Sequence, residues 1–419
     1  MNRREFLKSA FAFTALGSVS RLAAQVAPKT AEEVAEAIKT GKVTRRPYKN
    51  TDITLPLLGY GLMRMPKLDP AKQEIDLATG QNLIDRAMEA GVNYFDTAYV
   101  YHGGDSEKFA GKALKKYPRE SYFLVTKMPV RNVASEADVD RIFKEQLERC
   151  QTEYFDFYLL HNLNKDQWPK VEQYKIYDYL KEQQKAGKIR RLGFSFHDEP
   201  EILETIAAAH EWDFAQIQLN YFDWDAYRSR EQYEVLTKRG IPVVVMEPLR
   251  GGTLASLNPE ATEIFRKADP NASTASWAFR YVASLPNVMT VLSGMTYAEH
   301  LEDNIKTFTD FKPLTDEERK VIADALAAYK KSGAVPCTGC RYCMPCPMGV
   351  DIPRIFALYN QYKSSGNAWS FVGTYSNMAE TSRASACVKC GACLSKCPQK
   401  INIPEKLEMI QKEYESLKK

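Results

Sequence analysis

Long apolar runs, one-sided charge and low-complexity stretches are all missing from this 419-residue chain. The apolar stretch from Ala10 to Val19 falls well short of the ~20 residues that a membrane-crossing helix needs, so no span is expected beyond an uncleaved export signal. A net charge of +4 is slight for this length, and with the basic residues spread along the chain it does not demand nucleic acid or an acidic partner surface. Cysteine is nearly absent from the first 336 residues, where Cys150 stands alone. The other eight fall between Cys337 and Cys397, and that unevenness is the first positive signal. Apolar residues at 44% and charged residues at 26% describe a soluble globular protein. The length exceeds one small domain and suggests two folded units with extras.

The N-terminus reads Asn2-Arg3-Arg4-Glu5-Phe6-Leu7-Lys8, then the short apolar stretch, then Arg21-Leu22-Ala23-Ala24. Adjacent arginines ahead of a modest apolar segment resemble a twin-arginine export signal, which implies a periplasmic or otherwise exported protein. A basic helix on a cytoplasmic protein is the alternative. No strict Ala-x-Ala site follows, so cleavage after Ala24 and an uncleaved anchor both stay open. Signals of this kind move proteins that are already folded, which suits a cofactor inserted before export.

Residues 31–41 suggest a short helix. Beyond them, short apolar runs alternate with longer amphipathic ones. Strands are expected at 55–62, 94–98, 122–128, 155–161, 189–196, 214–220, 242–248 and 288–295. Helical patterns run from Asn82 to Ala90, Asp138 to Cys150, Glu201 to His210 and Tyr297 to Phe308. Gly91, Gly187 and Gly240 stand where helices end and left-handed geometry is needed. Eight strand–helix pairs in about 260 residues match an α/β fold of the (β/α)8 TIM barrel type. A doubly wound open sheet shows the same alternation, and periodicity alone does not separate the two. The expected organisation is an export segment at 1–27, a barrel at 28–312, a linker helix at 313–335 and a cysteine-rich domain at 336–419.

That last domain holds an internal repeat. Cys337, Cys340, Cys343 and Cys346-Pro347 are followed by Val350-Asp351-Ile352-Pro353. Fifty residues on, Cys387, Cys390, Cys393 and Cys397-Pro398 are followed by Ile401-Asn402-Ile403-Pro404. Each Ile-Pro opens a helical run, at 354–363 and 405–418, with proline in its favoured first turn. Eight thiolates in two groups of four fit two [4Fe–4S] clusters, because three closely spaced cysteines let one loop wrap three corners of a cube. Structural zinc also uses paired C-x2-C units, and disulfides suit an exported chain, but consecutive triplets with a trailing Cys-Pro fit either poorly. The pattern resembles two-cluster ferredoxins and the mainly helical ferredoxin domain of respiratory dehydrogenases. That analogy implies crossed fourth ligands: Cys337, Cys340, Cys343 and Cys397 for one cluster, and Cys387, Cys390, Cys393 and Cys346 for the other. The first motif is one residue short before Cys346, which makes that ligand the irregular one.

At the end of the second expected strand the sequence reads Phe95-Asp96-Thr97-Ala98-Tyr99-Val100-Tyr101. Val125-Thr126-Lys127 ends the third, and Tyr158-Leu159-Leu160-His161 ends the fourth. Order and placement together resemble the aldo/keto reductase family over roughly residues 50–312. Taken singly, each residue has a plain structural role open to it: a packing tyrosine, a solvated lysine, a helix-capping aspartate and a satisfied buried histidine. Together they supply what carbonyl reduction needs. Free tyrosine has a pKa near ~10, so a lysine ammonium beside it would bring the phenol towards acidity. Tyr101 is therefore the expected acid, Lys127 its tuner, Asp96 the partner of the lysine, and His161 the donor that orients the substrate oxygen.

The resemblance also implies a nicotinamide cofactor, NADP or NAD, held by Ser195, Gln216, Met246, Pro248, Leu249, Arg250, Gly294, Asp303 and Asn304. Glu247-Pro248-Leu249-Arg250-Gly251-Gly252 could cradle a pyrophosphate through Arg250 and backbone amides, although a glycine pair is equally a simple turn. Here the chain departs from the family. Phe196 replaces an asparagine at the nicotinamide amide, Met246 replaces a stacking tyrosine, and Gly294, Met295 and His300 stand where a Lys-Ser pair and an arginine hold the adenosine phosphate. NADP selectivity should weaken. His102 replaces a glycine and is expected to alter access to Tyr101.

The expected activity is interconversion of a small carbonyl and its alcohol, with the clusters relaying electrons to or from a redox partner protein. The alternative is an electron-transfer or partner-binding subunit whose barrel is catalytically idle.

Overall fold

The computed structural model describes residues 43–49, 51–69 and 72–418. The export-like segment and the helix expected at 31–41 lie outside the described residues.

The described chain opens with a hairpin, β1 (Arg45–Pro47) paired antiparallel with β2 (Thr54–Pro56). Eight parallel strands follow: β3 (Leu58–Gly61), β4 (Tyr94–Asp96), β5 (Phe123–Met128), β6 (Phe155–Leu163), β7 (Ile189–Phe196), β8 (Phe214–Gln218), β9 (Val243–Met246) and β10 (Val288–Ser293). They close in sequence order, and β10 pairs with β3 through Val291 opposite Leu58. Closure excludes the open-sheet alternative. These strands read as continuous apolar runs because side chains fill the inside while helices cover the outside.

Inside the barrel, Tyr94, Val125, Phe157, Leu159, Phe214, Val244 and Met289 pack in one cluster that Tyr48 and Leu55 of the hairpin segment complete. The Tyr48 ring meets Phe157 edge-on at 5.8 Å, and its hydroxyl donates to the Asp213 carbonyl at 2.8 Å. The hairpin thus plugs the N-terminal mouth. Open space is left at the C-terminal ends of the strands, where barrel active sites assemble.

Helices Leu77–Glu89, Glu136–Arg149, Pro200–Ala209 and Ala298–Phe308 form where the apolar periodicity places them. Asp76 and Ser135 cap the first two by accepting from the backbone N–H groups of Thr79 and Asp138. Gly187 ends another helix in the left-handed region, at φ 77°.

The helix expected as a linker, Asp316–Lys330, starts from a Thr315/Glu318 capping box. It is no free-standing connector. Its Ile322, Ala325, Ala328 and Tyr329 pack with Leu254, Phe265 and Trp277 as part of the outer layer of the barrel. Beyond it lies a mainly helical unit with a core of its own, in which Ile355, Tyr359, Phe371, Tyr375, Leu407 and Tyr414 join helices Ile352–Ser365, Ala368–Ser376 and Ile403–Leu417. Among the described residues no helix is long and apolar enough to cross a membrane.

Candidate active site

Three successive strands deliver the expected tetrad. Asp96 ends β4, Lys127 lies in β5, His161 lies in β6, and Tyr101 follows β4 in a short turn. The Lys127 ammonium is fully buried and donates to Asp96 Oδ1 and to the Thr97 carbonyl, both at 2.6 Å, and to the Tyr101 hydroxyl at 3.5 Å. The His161 ring stands edge-on to Tyr101, with centroids 5.9 Å apart.

Behind Lys127 lies a polar layer that the sequence pattern did not single out. Buried Glu107 accepts from Thr126 and from Gln146, each at 2.6 Å, and Gln146 also donates to the Lys127 carbonyl at 3.0 Å. These bonds fix the backbone that aims the ammonium. Only the fold brings them together, because Glu107 and Gln146 sit on separate helices.

Burial sets the resting protonation of the site. Burial, together with the nearby carboxylates of Asp96 and Glu247, pushes the Tyr101 phenol well above its ordinary value, with Arg64 pulling the other way. Tyr101 is therefore a neutral O–H donor at neutral pH. Burial and the Lys127 charge push His161 well below the usual imidazole range, so its ring is neutral as well. Burial lowers Lys127 too, and Asp96 partly opposes that shift. His102, expected to alter access to Tyr101, is pinned elsewhere: its ring accepts from the Met65 backbone N–H at 3.3 Å and meets the Gln73 carbonyl at 3.1 Å.

Tyr101, Asp96 and His161 open onto one cavity of about 600 Å³. Eight of the nine residues expected around a nucleotide line it: Ser195, Gln216, Met246, Pro248, Leu249, Gly294, Asp303 and Asn304. Arg250 does not. It is buried, paired with Asp223 at 2.7 Å, and donates to Gln399 at 2.6 Å, so its charge is committed to joining barrel and tail, not to a pyrophosphate. The glycine pair after it is explained by the same contact. Gly251 has φ 67°, and a Cβ there would lie 1.9 Å from the Thr338 carbonyl oxygen, so only glycine admits the cysteine loop.

A nicotinamide fits the inner part of this cavity. Gln216 Oε1 is buried without a partner, as a carboxamide acceptor would be, and Gln216 Nε2 rests on Met246 Sδ at 3.6 Å. At the outer end, Glu299, His300 and Asp303 line the wall, and Arg64 is the one lysine or arginine among the described lining residues.

The cysteines divide into two lobes. Cys337, Cys340, Cys343 and Cys397 line one space. Cys346, Cys387, Cys390 and Cys393 line the other, with Cys343 in the wall between them. Each lobe takes three cysteines from one motif and the fourth from the other, the crossover implied by the ferredoxin analogy. No cysteine is in a disulfide, and among the described residues no three His, Cys, Asp or Glu side chains converge on one metal position. Sulfurs spread around a space suit a cubane better than a single zinc ion. Burial pushes the Cys337 thiol up to about 11 and Cys343 up to about 12, so thiolates there call for a cationic core beside them.

One relationship could not be read along the chain. Thr338, Cys340 and Tyr342 from the first motif, with Pro398 and Gln399 from the second, line the same cavity as the tetrad. The lobe that includes Cys340 therefore roofs the active site, and the lobe that includes Cys390 faces away from it.

Comparison with known proteins agrees with this geometry. The sequence profile of the aldo/keto reductase family matches residues 57–327. The chain belongs to the aldo/keto reductase family. A 4Fe-4S dicluster domain profile matches residues 336–401. The chain is 24% identical to L-galactose dehydrogenase of Arabidopsis thaliana over 299 residues, which cover 65% of this chain and 90% of that protein. It is 28% identical to the NADH-specific methylglyoxal reductase of Escherichia coli over 231 residues, covering 50% and 68% respectively. The holo form of an aldo-keto reductase from Bacillus halodurans superposes with TM-score 0.57 at 25% identity, covering 68% of this chain and 96% of that one. This aldo/keto reductase is thus an NAD(P)-dependent oxidoreductase barrel carrying an iron–sulfur domain. In this aldo/keto reductase the departures noted from sequence have distinct fates: Phe196 is buried in the packing layer outside the strands, whereas Met246 and His300 face the cavity.

Proposed function

We propose that this protein interconverts a small alcohol and its carbonyl at the tetrad, and that its two clusters carry the electrons between the cavity and an external partner. Reduction of a carbonyl takes two electrons and two protons, and two clusters carry one electron each. A bound nicotinamide would supply or accept the hydride, whose two electrons would be shared one to each cluster and whose proton would go to solvent. Tyr101 gives its phenolic proton to the carbonyl oxygen, or takes one from the alcohol. Lys127, held by Asp96 and Thr97, stabilises the phenolate left behind. Neutral His161 donates to the same oxygen and sets its position. The observation that carries the proposal is that Tyr101 and Cys340 line one cavity. An idle barrel would leave a fully assembled tetrad without a role.

We further propose NAD over NADP, because a 2′-phosphate at the outer end would face Glu299 and Asp303 without a dedicated cation. Export by the twin-arginine route is also proposed. Replacing Arg3 and Arg4 by lysine should retain the protein in the cytoplasmic fraction. The catalytic proposal is tested by anaerobic purification with intact clusters, followed by a screen of small carbonyl compounds with NADH and NADPH and of small alcohols with NAD+ and NADP+. Turnover that disappears in Tyr101→Phe supports it, and turnover that survives removes it.

A further inference from the structure

The tail is two-ended. The lobe around Cys337, Cys340 and Cys397 is turned to the barrel, tied there by Gln399 and by Arg64, which donates to the Thr338 carbonyl at 3.0 Å. The other lobe points outward, and Cys390 is exposed. Around it stand three large apolar side chains open to solvent: Met348 at 44%, Val388 at 59% and Leu394 at 43% exposure. Met348 and Val388 line the distal lobe itself, and Leu394 reaches to within 3.7 Å of the Cβ position of Gly391, beside Cys390. Scattered surface apolar residues need no explanation, but three grouped over one cluster lobe are a patch.

The rim of this patch is basic. Lys396 lines the lobe and has no ion pair among the described residues. Lys389 and Lys412 share a single carboxylate, Glu408, each at 2.8 Å. Lys389, Lys396 and Lys412 thus stand against the one carboxylate of Glu408, a local excess of positive charge. An apolar centre with a charged rim is the anatomy of a transient protein interface, and electron-transfer encounters use small ones.

We infer that the Met348–Val388–Leu394 patch is the docking surface for an acidic one-electron carrier protein, whose redox centre meets the distal cluster at Cys390. This rests on the electron-relay reading of the clusters. With a cluster held by Cys346, Cys387, Cys390 and Cys393, one electron would pass from its reduced state to the carrier, reducing it by one equivalent, or travel the other way. No bond forms or breaks, and no proton is exchanged. Lysines at the rim steer an acidic carrier into place, so association is fast at low salt and slows as salt screens it.

The test uses the full-length holoprotein, reduced anaerobically with dithionite, freed of excess reductant and mixed in a stopped-flow cell with two c-type cytochromes of similar size. One cytochrome is acidic and one basic around the haem edge. Haem reduction and cluster reoxidation are both read by absorbance. The expected second-order rate is about tenfold or more higher with the acidic cytochrome, and it falls with ionic strength. Lys396→Glu should remove most of that advantage, and Leu394→Ser should slow transfer at every salt concentration. Lys115→Glu, at the exposed turn that follows barrel helix Asp105–Leu114, should change nothing. Iron and sulfide content, measured for each variant, shows that the clusters are intact. Equal rates for the two cytochromes, rates independent of salt, or a self-association abolished by Leu394→Ser would each overturn the proposal. If the charge preference holds but NADH never reduces the clusters, the docking surface stands and the catalytic relay fails. If NADH reduces the clusters without any carrier preference, the relay stands and this surface fails.

Discussion

Gln218, at the end of β8, and Gln399, just after the last cysteine, exchange two hydrogen bonds of 3.0 and 2.8 Å across the junction of barrel and tail. Gln399 also accepts from Arg250, whose guanidinium is paired with Asp223 and lies over the Phe222 ring at 4.5 Å. Lys400 adds ion pairs to Asp198, at 3.7 Å, and to Glu199. One glutamine thus satisfies a buried cation of the barrel and fixes the second cysteine motif over its mouth.

Gln399→Ala should therefore loosen the roof. It removes a partner from buried Arg250 and costs about 1–3 kcal/mol, because the remaining N–H groups cannot reach water. The expected result is a lower thermal midpoint for loss of cluster absorbance, with the barrel transition less affected. Differential scanning calorimetry combined with visible absorbance checks it.

The tetrad predicts an asymmetry between two variants. Tyr101→Phe removes the proton donor but leaves Lys127 held by Asp96 and Thr97, so stability should hold while turnover falls about 10²–10⁴-fold. Lys127→Met leaves the Asp96 carboxylate buried and uncompensated, which typically costs about 3–5 kcal/mol. Only the lysine variant should unfold at lower denaturant concentration, and equilibrium urea unfolding monitored beside kcat separates the two.

Nucleotide choice follows from charge at the outer end of the cavity. His300 lines that wall between Glu299 and Asp303. His300→Arg places a permanent cation where a 2′-phosphate would lie, so the ratio of NADPH to NADH affinity should rise about tenfold. Fluorescence titration with both nucleotides measures it, and an unchanged ratio would mean the phosphate lies elsewhere.

Two imidazoles that line the cavity set an acid limit to stability. His161 is held well below the usual value of 6.5, and His197 is lowered to about 4, both mainly by burial. A group whose folded pKa is depressed contributes fully above its unfolded value and loses that contribution as pH falls towards the folded one. Stability should thus decline from pH 6.5 towards 4. Replacing both histidines by glutamine should flatten that decline relative to the parent in melting curves.

Much of this architecture was legible because it is local. Each barrel strand is an apolar run bounded by glycine, proline or polar residues, and the tetrad positions follow strand ends one by one. The cysteine repeat was equally legible, since cluster loops are set by spacing. What was not legible depends on contacts between distant segments. Arg250 looked like a phosphate ligand because nothing near it in sequence reveals that Gln399 claims it. Gly251 looked like a turn until the Thr338 carbonyl was seen pressing on it. Tyr48 and Leu55 carry no motif, yet they fill the bottom of the barrel. Nor does any local pattern reveal that burial and the Asp96 and Glu247 carboxylates together hold the Tyr101 phenol up.

The central claim is that chemistry at Tyr101 and the redox state of the clusters are joined through the cavity they share. Anaerobic titration of the oxidised holoprotein with NADH, read by electron paramagnetic resonance, tests it most directly. The account predicts a reduced [4Fe–4S] signal that grows to about two electrons per chain, one for each cluster. A sample in which dithionite reduces both clusters while NADH reduces neither would contradict it.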